Sequence, residues 1–134
     1  NNPNKDITGV GKEFIIFNYD ALEMYRSVYI CEGALNALTI GDRGIATMGK
    51  VVSKYQLNEL IKAPCQRYII LLDFDAQKYA IELALKLIQY KKVKLVLFED
   101  NRDVNDLGRK AVLKKVYETR YATYQGLIKL KNSL

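Results

Sequence analysis

The chain has 134 residues, of which 49% are hydrophobic and 27% are charged, and this composition fits one folded domain. No apolar run reaches the ~18 residues that a membrane-spanning helix needs, so no membrane partner is expected. The sequence has two cysteines and no histidine, which excludes Cys/His zinc sites, Ser-His triads and histidine general bases.

The chain start and the net charge indicate the expected setting of the protein. The start at Asn1 has neither a methionine nor a signal-peptide pattern, so we expect a soluble intracellular fragment of a longer protein. We expect residues 1–10 to form a flexible N-terminal segment and residues 11–134 to form a single domain with basic C-terminal helices. The net charge of +6 favours an anionic partner such as nucleic acid, although many basic domains have none.

Short apolar strands alternate with amphipathic helices along the chain. The apolar run at 14–17 is predicted to be an edge or hairpin strand. This alternation predicts an α/β fold with a mainly parallel sheet of about four strands and helices on both faces. After the first run we predict strands at 27–31, 44–47, 67–72 and 93–98, of which the second is brief. We predict helices between and after them, at 33–40, 53–61, 77–90, 104–117 and 121–130. Ser53 is the predicted N-cap of the helix at 53–61.

Five acids come just after the carboxyl ends of three of these strands. Glu32 follows the strand predicted at 27–31, Asp73 and Asp75 follow the one at 67–72, and Asp103 and Asp106 follow the one at 93–98. Ligands of open parallel sheets bind outside those ends, so the loops could aim their carboxylates at one point. Residues two apart in extended backbone point to the same side, which would pair Asp73 with Asp75. Such a cluster could hold one Mg²⁺, or two ions for phosphoryl chemistry.

Each acidic motif also has an ordinary structural interpretation. Glu32 could simply end a strand before a turn, and Asp73 with Asp75 could form a turn that caps a helix. Asp103 and Asp106 could cap the following helix and interact favourably with its dipole. Their occurrence at three strand ends in chain order favours a shared site over three separate caps.

The motifs that carry these acids resemble the Toprim family, which includes bacterial and phage primases, topoisomerases and some nucleases. The match covers roughly residues 11–107. Residues 28–33 resemble the family's strand-Glu-Gly motif, residues 71–75 its Asp-x-Asp motif, and residues 102–107 the Lys-Asp-x-Asn-Asp-Leu stretch of primase-type members. Phe17-Asn18, residues 47–50 and Gln56 also resemble primase segments, so the resemblance favours a primase or primase-helicase.

The resemblance implies a Toprim (Rossmann-like) fold and a role for each acid. Glu32 would be the acid/base or metal-linked carboxylate, Asp73 and Asp75 the principal ligands of Mg²⁺ or Mn²⁺, and Asp103 and Asp106 an extension of the acidic site. Glu32, Asp73 and Asp75 would be catalytic, and the reaction would join ribonucleoside triphosphates into primers on single-stranded DNA. A helicase or other primase domains would be partners, in the cytoplasm of a bacterial or phage-infected cell, near the nucleoid.

The chain departs from the primase pattern at several positions. Asn36 stands where primases often carry an aspartate after Glu-Gly, and Gln77-Lys78 stands where Ala-Gly is common. Arg102 replaces the usual lysine, which keeps the charge but changes the geometry of the donor. These departures bear on catalytic competence and not on the fold.

Basic residues in the second half of the chain and near the acids could contact phosphates. Lys50 and Lys78 are the stronger candidates, because their loops should lie near the acids. For most of the others, a solvated helix face is the expected role. The nucleotide- or nucleic-acid-binding set predicted here is Lys50, Lys78, Arg102, Lys110 and Lys114.

Three tyrosines near the end of the chain allow two interpretations. Tyr117, Tyr121 and Tyr124 could stack on the bases of single-stranded nucleic acid. Packing of the last helix against the sheet is the alternative role for these rings.

Three other functions compete with a primase domain. A Toprim nuclease would use the same metals on nucleic acid. A non-catalytic module for nucleic-acid binding or partner docking would keep the fold, and Asn36 and Lys78 would be its signs. An unrelated α/β domain with accidental acids would show no convergence of Glu32, Asp73 and Asp75.

Overall fold

Four parallel strands form the centre of the molecule. The structure, a computed structural model, describes residues 11–134, and the predicted flexible segment at 1–10 lies outside the described residues. The strand order is β2-β1-β3-β4, and every neighbouring pair is parallel, which confirms the predicted α/β fold with a parallel sheet. The strands are β1 (Ser27–Cys31), β2 (Gly44–Ala46), β3 (Arg67–Leu71) and β4 (Lys92–Leu95).

A helix follows each strand along the chain, as is usual for the crossover connections of a parallel sheet. In chain order they are α1 (Ala21–Met24), α2 (Ala34–Ile40), α3 (Lys54–Lys62), α4 (Gln77–Leu87), α5 (Val104–Leu107), α6 (Arg109–Glu118) and α7 (Tyr124–Ser133). No helix within residues 11–134 is long and apolar enough to cross a membrane.

The sheet has a hydrophobic core on each face, because successive side chains of a strand point to opposite sides. One core joins Val28 and Ile30 of β1 to α3, α4 and α7. The other joins Cys31 to α2, α5 and α6, with Val112 fully buried in it. Each fully buried aliphatic side chain contributes about 1.5–3 kcal/mol to folding. The prediction of helices on both faces is therefore confirmed.

Two predicted elements differ from the observed ones in kind, and others, such as the strand predicted at 93–98 and found at Lys92–Leu95, differ only at their ends. The predicted strand at 14–17 is wrong: Lys12–Phe14 form a 3₁₀ turn, and only Phe17 makes an antiparallel bridge, to Ala46 on edge strand β2. The predicted helix at 104–117 is divided between α5 and α6 by Gly108, whose φ of 84° lies in the left-handed region. A helical pattern of apolar residues on both sides of a glycine does not reveal such a break.

The N-terminus of α3 ties the segment before β1 to the loop after β2. Ser53 caps α3 as predicted: its side chain accepts a hydrogen bond from the Gln56 backbone N–H, and the Gln56 side chain accepts one from the Ser53 N–H. The buried Gln56 amide also donates to the carbonyl oxygens of Ile15 and Thr47, each at 2.7 Å. One side chain therefore fixes three separate pieces of backbone.

Gly44 marks the closest approach between α2 and β2. A Cβ atom at Gly44 would lie 2.4 Å from the backbone carbonyl oxygen of Ala37, which cannot move without distorting α2. We expect Gly44→Ala to lower the free energy of unfolding by about 1–3 kcal/mol, as overpacking does. Urea denaturation monitored by circular dichroism measures this loss.

Gly49→Ala is the matched control, because an added Cβ there meets no atom within 4 Å among the described residues. Its free energy of unfolding should stay within about 0.5 kcal/mol of wild type. An equal loss in the two variants would contradict the close approach of α2 and β2.

Candidate metal centre

Three carboxylates from two paired strands meet at the carboxyl edge of the sheet. Glu32 follows β1 directly, and Asp73 and Asp75 follow β3, which pairs with β1. One oxygen of each lies within 4.8 Å of the other two. These three residues, named here the acid cluster, therefore converge as the strand order predicts.

A turn, and not extended backbone, brings the two aspartates of the cluster together. Asp73 has an extended conformation and precedes a 3₁₀ turn at Phe74–Ala76, which contains Asp75. The expectation that both residues lie in extended backbone is wrong for Asp75. The turn brings the second carboxylate back toward the first.

Glu32 contributes a buried carboxylate oxygen to the cluster. Its Oε1 atom is buried and has no hydrogen-bond partner among residues 11–134. Burial raises the pKa of Glu32 above its ordinary value, the nearby Asp73 and Asp75 raise it further, and Lys50 opposes the shift. A buried oxygen without a donor is unfavourable, and a cation, a proton or a bound water molecule would satisfy it.

Asp73 is influenced by acidic groups from two loops of this edge. Burial raises its pKa, and the neighbouring carboxylates of Asp103, Asp75 and Asp106 raise it further, in that order. Lys50 lowers it. Repulsion between these groups therefore extends beyond the acid cluster to the loop after β4.

Asp103 and Asp106 form a capping box at the start of α5. Asp103 Oδ1 accepts a hydrogen bond from the Asp106 backbone N–H at 2.8 Å, and Asp106 Oδ2 accepts one from the Asp103 N–H at 3.0 Å. Each carboxylate uses one oxygen in this cap and keeps another. The ordinary capping role is thus realised, and both carboxylates still raise the pKa of Asp73.

An open cleft lies against the acid cluster. Its volume is about 390 Å³, the size range of small-ligand sites. An added Cβ at Gly33 would meet no atom within 4 Å among the described residues, so the absent side chain leaves this wall open. The cleft is lined by Lys12, Glu32, Gly33, Leu35, Asn36, Met48, Gly49, Asp73 and Asp103.

Lys50 is the basic residue in contact with the acid cluster. Its Nζ atom donates to Asp75 Oδ2 at 3.1 Å, and both side chains are partly exposed. An exposed pair of this kind contributes little to stability, so Lys50 can leave Asp75 for another anion at low cost. The prediction that the Lys50 loop lies beside the acids is correct.

The other predicted phosphate-binding residues lie outside the acid cluster. Arg102 pairs with Asp100 through its Nε and Nη2 atoms, at 3.1 and 2.9 Å. Lys78 is exposed on the first turn of α4, and Lys110 and Lys114 are exposed on α6. These three lysines are exposed, and among residues 11–134 none of them makes an ion pair or hydrogen bond with the acid cluster.

The C-terminal tyrosines do not pack α7 against the sheet. Tyr117 and Tyr124 are 87% and 57% exposed, and buried Leu127 makes the contact between α7 and the core. The ring of Tyr121 lies 4.9 Å from Lys92 Nζ and 5.0 Å from Lys94 Nζ, which places positive charge over its face. The packing interpretation of Tyr117 and Tyr124 is therefore wrong.

Asn36 belongs to the site, although the sequence marks it only as a departure from the primase pattern. It is 6% exposed, donates from Nδ2 to Asp73 Oδ1 at 3.4 Å, and accepts from the Asn105 backbone N–H at 3.1 Å. Asn36 lies four residues after Glu32, in the first turn of α2. That spacing, with a polar residue on an otherwise apolar helix face, is the signal that could have identified it.

The donors at this edge suit a hard divalent cation. The candidate ligand atoms of the acid cluster are all carboxylate oxygens, and the cluster contains no histidine or thiolate. The partnerless Glu32 Oε1 belongs to the same cluster. Mg²⁺ takes one or two protein carboxylates and completes its shell with water, and Mn²⁺ accepts the same ligands. The chemistry of this cluster is therefore compatible with either ion.

The sequence itself matches no protein-family model and no curated protein. The structure, however, is similar to primase catalytic cores. It matches the Escherichia coli primase catalytic core with a TM-score of 0.69 at 17% identity, over 93% of this chain and 44% of that chain. It matches a DnaG primase catalytic domain bound to single-stranded DNA with a TM-score of 0.70 at 17% identity, over the same shares.

A third match extends the same likeness to another organism. The Aquifex aeolicus primase, solved with its zinc-binding and RNA polymerase domains, gives a TM-score of 0.66 at 19% identity, over 84% of this chain and 32% of that chain. The chain thus spans less than half the length of these primases. The matches confirm the expected fold, an α/β Toprim fold of the kind found in primase catalytic cores.

Removal of one charge from the cluster should stabilise the metal-free protein. The pKa of Asp73 is raised in the folded state, so its ionised form opposes folding above its folded pKa. We expect Asp73→Asn to raise the melting temperature in excess EDTA at pH 7 by about 3 °C. Calorimetry between pH 7 and pH 4 should show the gain shrinking as the wild-type carboxylate becomes protonated.

Asp42→Asn, which removes an exposed carboxylate outside the acid cluster, is the control for net charge. An equal gain in this variant, or a gain at Asp73 that stays constant as the pH falls, would contradict the role of local repulsion.

Proposed function

We propose that this chain is the metal-binding catalytic domain of a DNA primase or primase-helicase. The observation that carries the proposal is the convergence of the acid cluster, which includes the partnerless Glu32 oxygen, beside an open cleft that Glu32 and Asp73 line at the carboxyl edge of the sheet. The likeness to primase catalytic cores supports the same function. The reaction would join ribonucleotides into primers on single-stranded DNA.

The acid cluster would hold Mg²⁺ or Mn²⁺. Asp73 and Asp75 would be the principal ligands, and Glu32 would complete the site or accept a proton. The free oxygens of Asp103 and Asp106 would extend it toward the loop after β4. Such an ion would neutralise charge on the triphosphate and activate the attacking hydroxyl.

The chain's own residues would orient the nucleotide. Lys50 would exchange Asp75 for a phosphate oxygen, since its present ion pair is exposed. Gly33 and Gly49 leave the cleft wall free of side chains where a nucleotide would enter. Pairing with the template, and not a charged contact of the cleft, would choose the base.

Nucleic acid would be held mainly by charge. The solved primase domain that carries single-stranded DNA has the same fold over 93% of this chain. Lys78, Lys110, Lys114 and Arg102 would contact phosphates and add affinity without sequence preference. A helicase or further primase domains would supply template recognition, in the cytoplasm of a bacterial or phage-infected cell.

Metal binding is the first test of this proposal. Titration calorimetry of Mn²⁺ into the 134-residue chain should detect binding. Asp73→Ala/Asp75→Ala should weaken it by more than about 100-fold, because it removes both principal ligands. Primer synthesis from ribonucleoside triphosphates on single-stranded DNA should be lost in the same variant.

Asp20→Ala/Asp42→Ala is the control, since it removes two exposed aspartates outside the cluster and changes the net charge equally. Mn²⁺ binding that survives in the cluster variant would place the metal elsewhere. Cleavage of DNA or RNA without primer synthesis would instead identify a nuclease.

The two lysines on α6 give an independent test of nucleic-acid binding. Lys110→Ala/Lys114→Ala should weaken the binding of single-stranded DNA and reduce the slope of log K against log[salt] by about 1.4, because two phosphate contacts are lost. Fluorescence anisotropy with a labelled oligonucleotide at several salt concentrations measures both quantities.

Lys129→Ala/Lys131→Ala removes two lysines of α7 and serves as the matched control. If this pair reduces the slope as much as the α6 pair, α6 is not a preferred contact surface.

A further inference from the structure

Asn36 connects all three loops that carry the acids. It lies on α2, which follows β1; its side chain reaches Asp73 after β3 and the backbone of Asn105 in α5, after β4. Near it, the Thr39 hydroxyl contacts the Asn105 side chain at 3.2 Å, which adds a second link between α2 and α5. Asn36 is buried, so water does not compete strongly for these bonds.

Chemistry fixes the orientation of the Asn36 amide. The backbone N–H of Asn105 can only donate, so it must face the amide oxygen. The amide nitrogen then faces Asp73 Oδ1, an atom that can only accept when the carboxylate is ionised. An amide satisfies both neighbours at once.

A carboxylate at position 36 would satisfy only one of the two. One oxygen could still accept from Asn105, but the other would face Asp73 Oδ1 at the present separation of 3.4 Å. Two ionised oxygens at that distance repel each other strongly unless a cation or a proton lies between them. The basic residue in contact with the cluster, Lys50, is already paired with Asp75.

We propose that Asn36 is a positioning residue, a neutral link that holds Asp73 in place without metal where a carboxylate would require a bound cation. This inference rests on the proposed metal site and concerns how far the stability of that site depends on a bound ion. In this chain the link to Asp73 needs no ion, and the site carries one negative charge fewer than it would with a carboxylate at position 36. Asn36→Asp should convert it into a site that depends on metal for its stability and binds metal more tightly.

The test compares melting temperature and Mn²⁺ affinity in three variants. Asn36→Asp should lower the melting temperature by about 5 °C in excess EDTA and recover most of that loss in saturating Mn²⁺. Its Mn²⁺ affinity by calorimetry should rise by about tenfold, because one more charge faces the ion. Asn58→Asp, an exposed substitution on α3, adds the same charge away from the site and should change neither quantity.

The double variant Asn36→Asp/Asp73→Asn keeps the test decisive if Asn36→Asp does not fold in EDTA. It exchanges the two groups, so that the new amide at position 73 donates to the new carboxylate at position 36, which still accepts from the Asn105 backbone N–H. We expect this exchange to restore the melting temperature in EDTA to near the wild-type value, and to weaken Mn²⁺ binding because a principal ligand is lost.

Two results would overturn the inference. One is a loss of melting temperature in Asn36→Asp that is the same with EDTA and with Mn²⁺, at unchanged affinity, which is the result expected for simple packing. The other is a double variant as unstable in EDTA as Asn36→Asp. Neither readout uses catalysis, so a chain that behaves as expected here but makes no primers refutes the proposed activity and leaves the role of Asn36 intact.

Discussion

Repulsion between carboxylates gathered at one edge of a parallel sheet is the constraint on which this structure depends. Parallel strands bring their carboxyl ends to the same edge, and here that edge carries Glu32, Asp73 and Asp75, with Asp103 and Asp106 nearby. Repulsion of this kind opposes folding and is tolerated where function needs it. The surrounding side chains can be understood as the means by which the chain limits that cost.

Three kinds of neighbour offset the repulsion. Lys50 gives a positive charge to Asp75, and the backbone N–H groups at the start of α5 take one oxygen from each aspartate of the capping box. Asn36 gives an amide donor to Asp73. Glu32 Oε1 receives nothing from the described residues, so this buried oxygen without a donor lies where a cation would complete the site.

The fold and the position of the site could be predicted from the sequence, whereas the local contacts could not. Uninterrupted apolar runs such as the one in β3 identify strands buried on both faces, and strand order alone brings Glu32 near Asp73. The 3₁₀ turn that contains Asp75 and the break at Gly108 depend on local backbone angles, which apolar periodicity does not encode. The contact between Asn36 and Asn105 joins residues 69 apart in the chain, and no local pattern specifies it.

The buried amide of Gln56 has a consequence for how a ligand would enter. It holds the carbonyl oxygens of Ile15 and Thr47 at 2.7 Å, and so the loop that continues to Lys50 begins from a fixed point. Moving that loop as a flap would break bonds inside the protein, where an unsatisfied polar group is costly. The side of the cleft lined by Met48 and Gly49 is therefore anchored at Thr47, and closing it over a ligand as one flap would cost these buried hydrogen bonds.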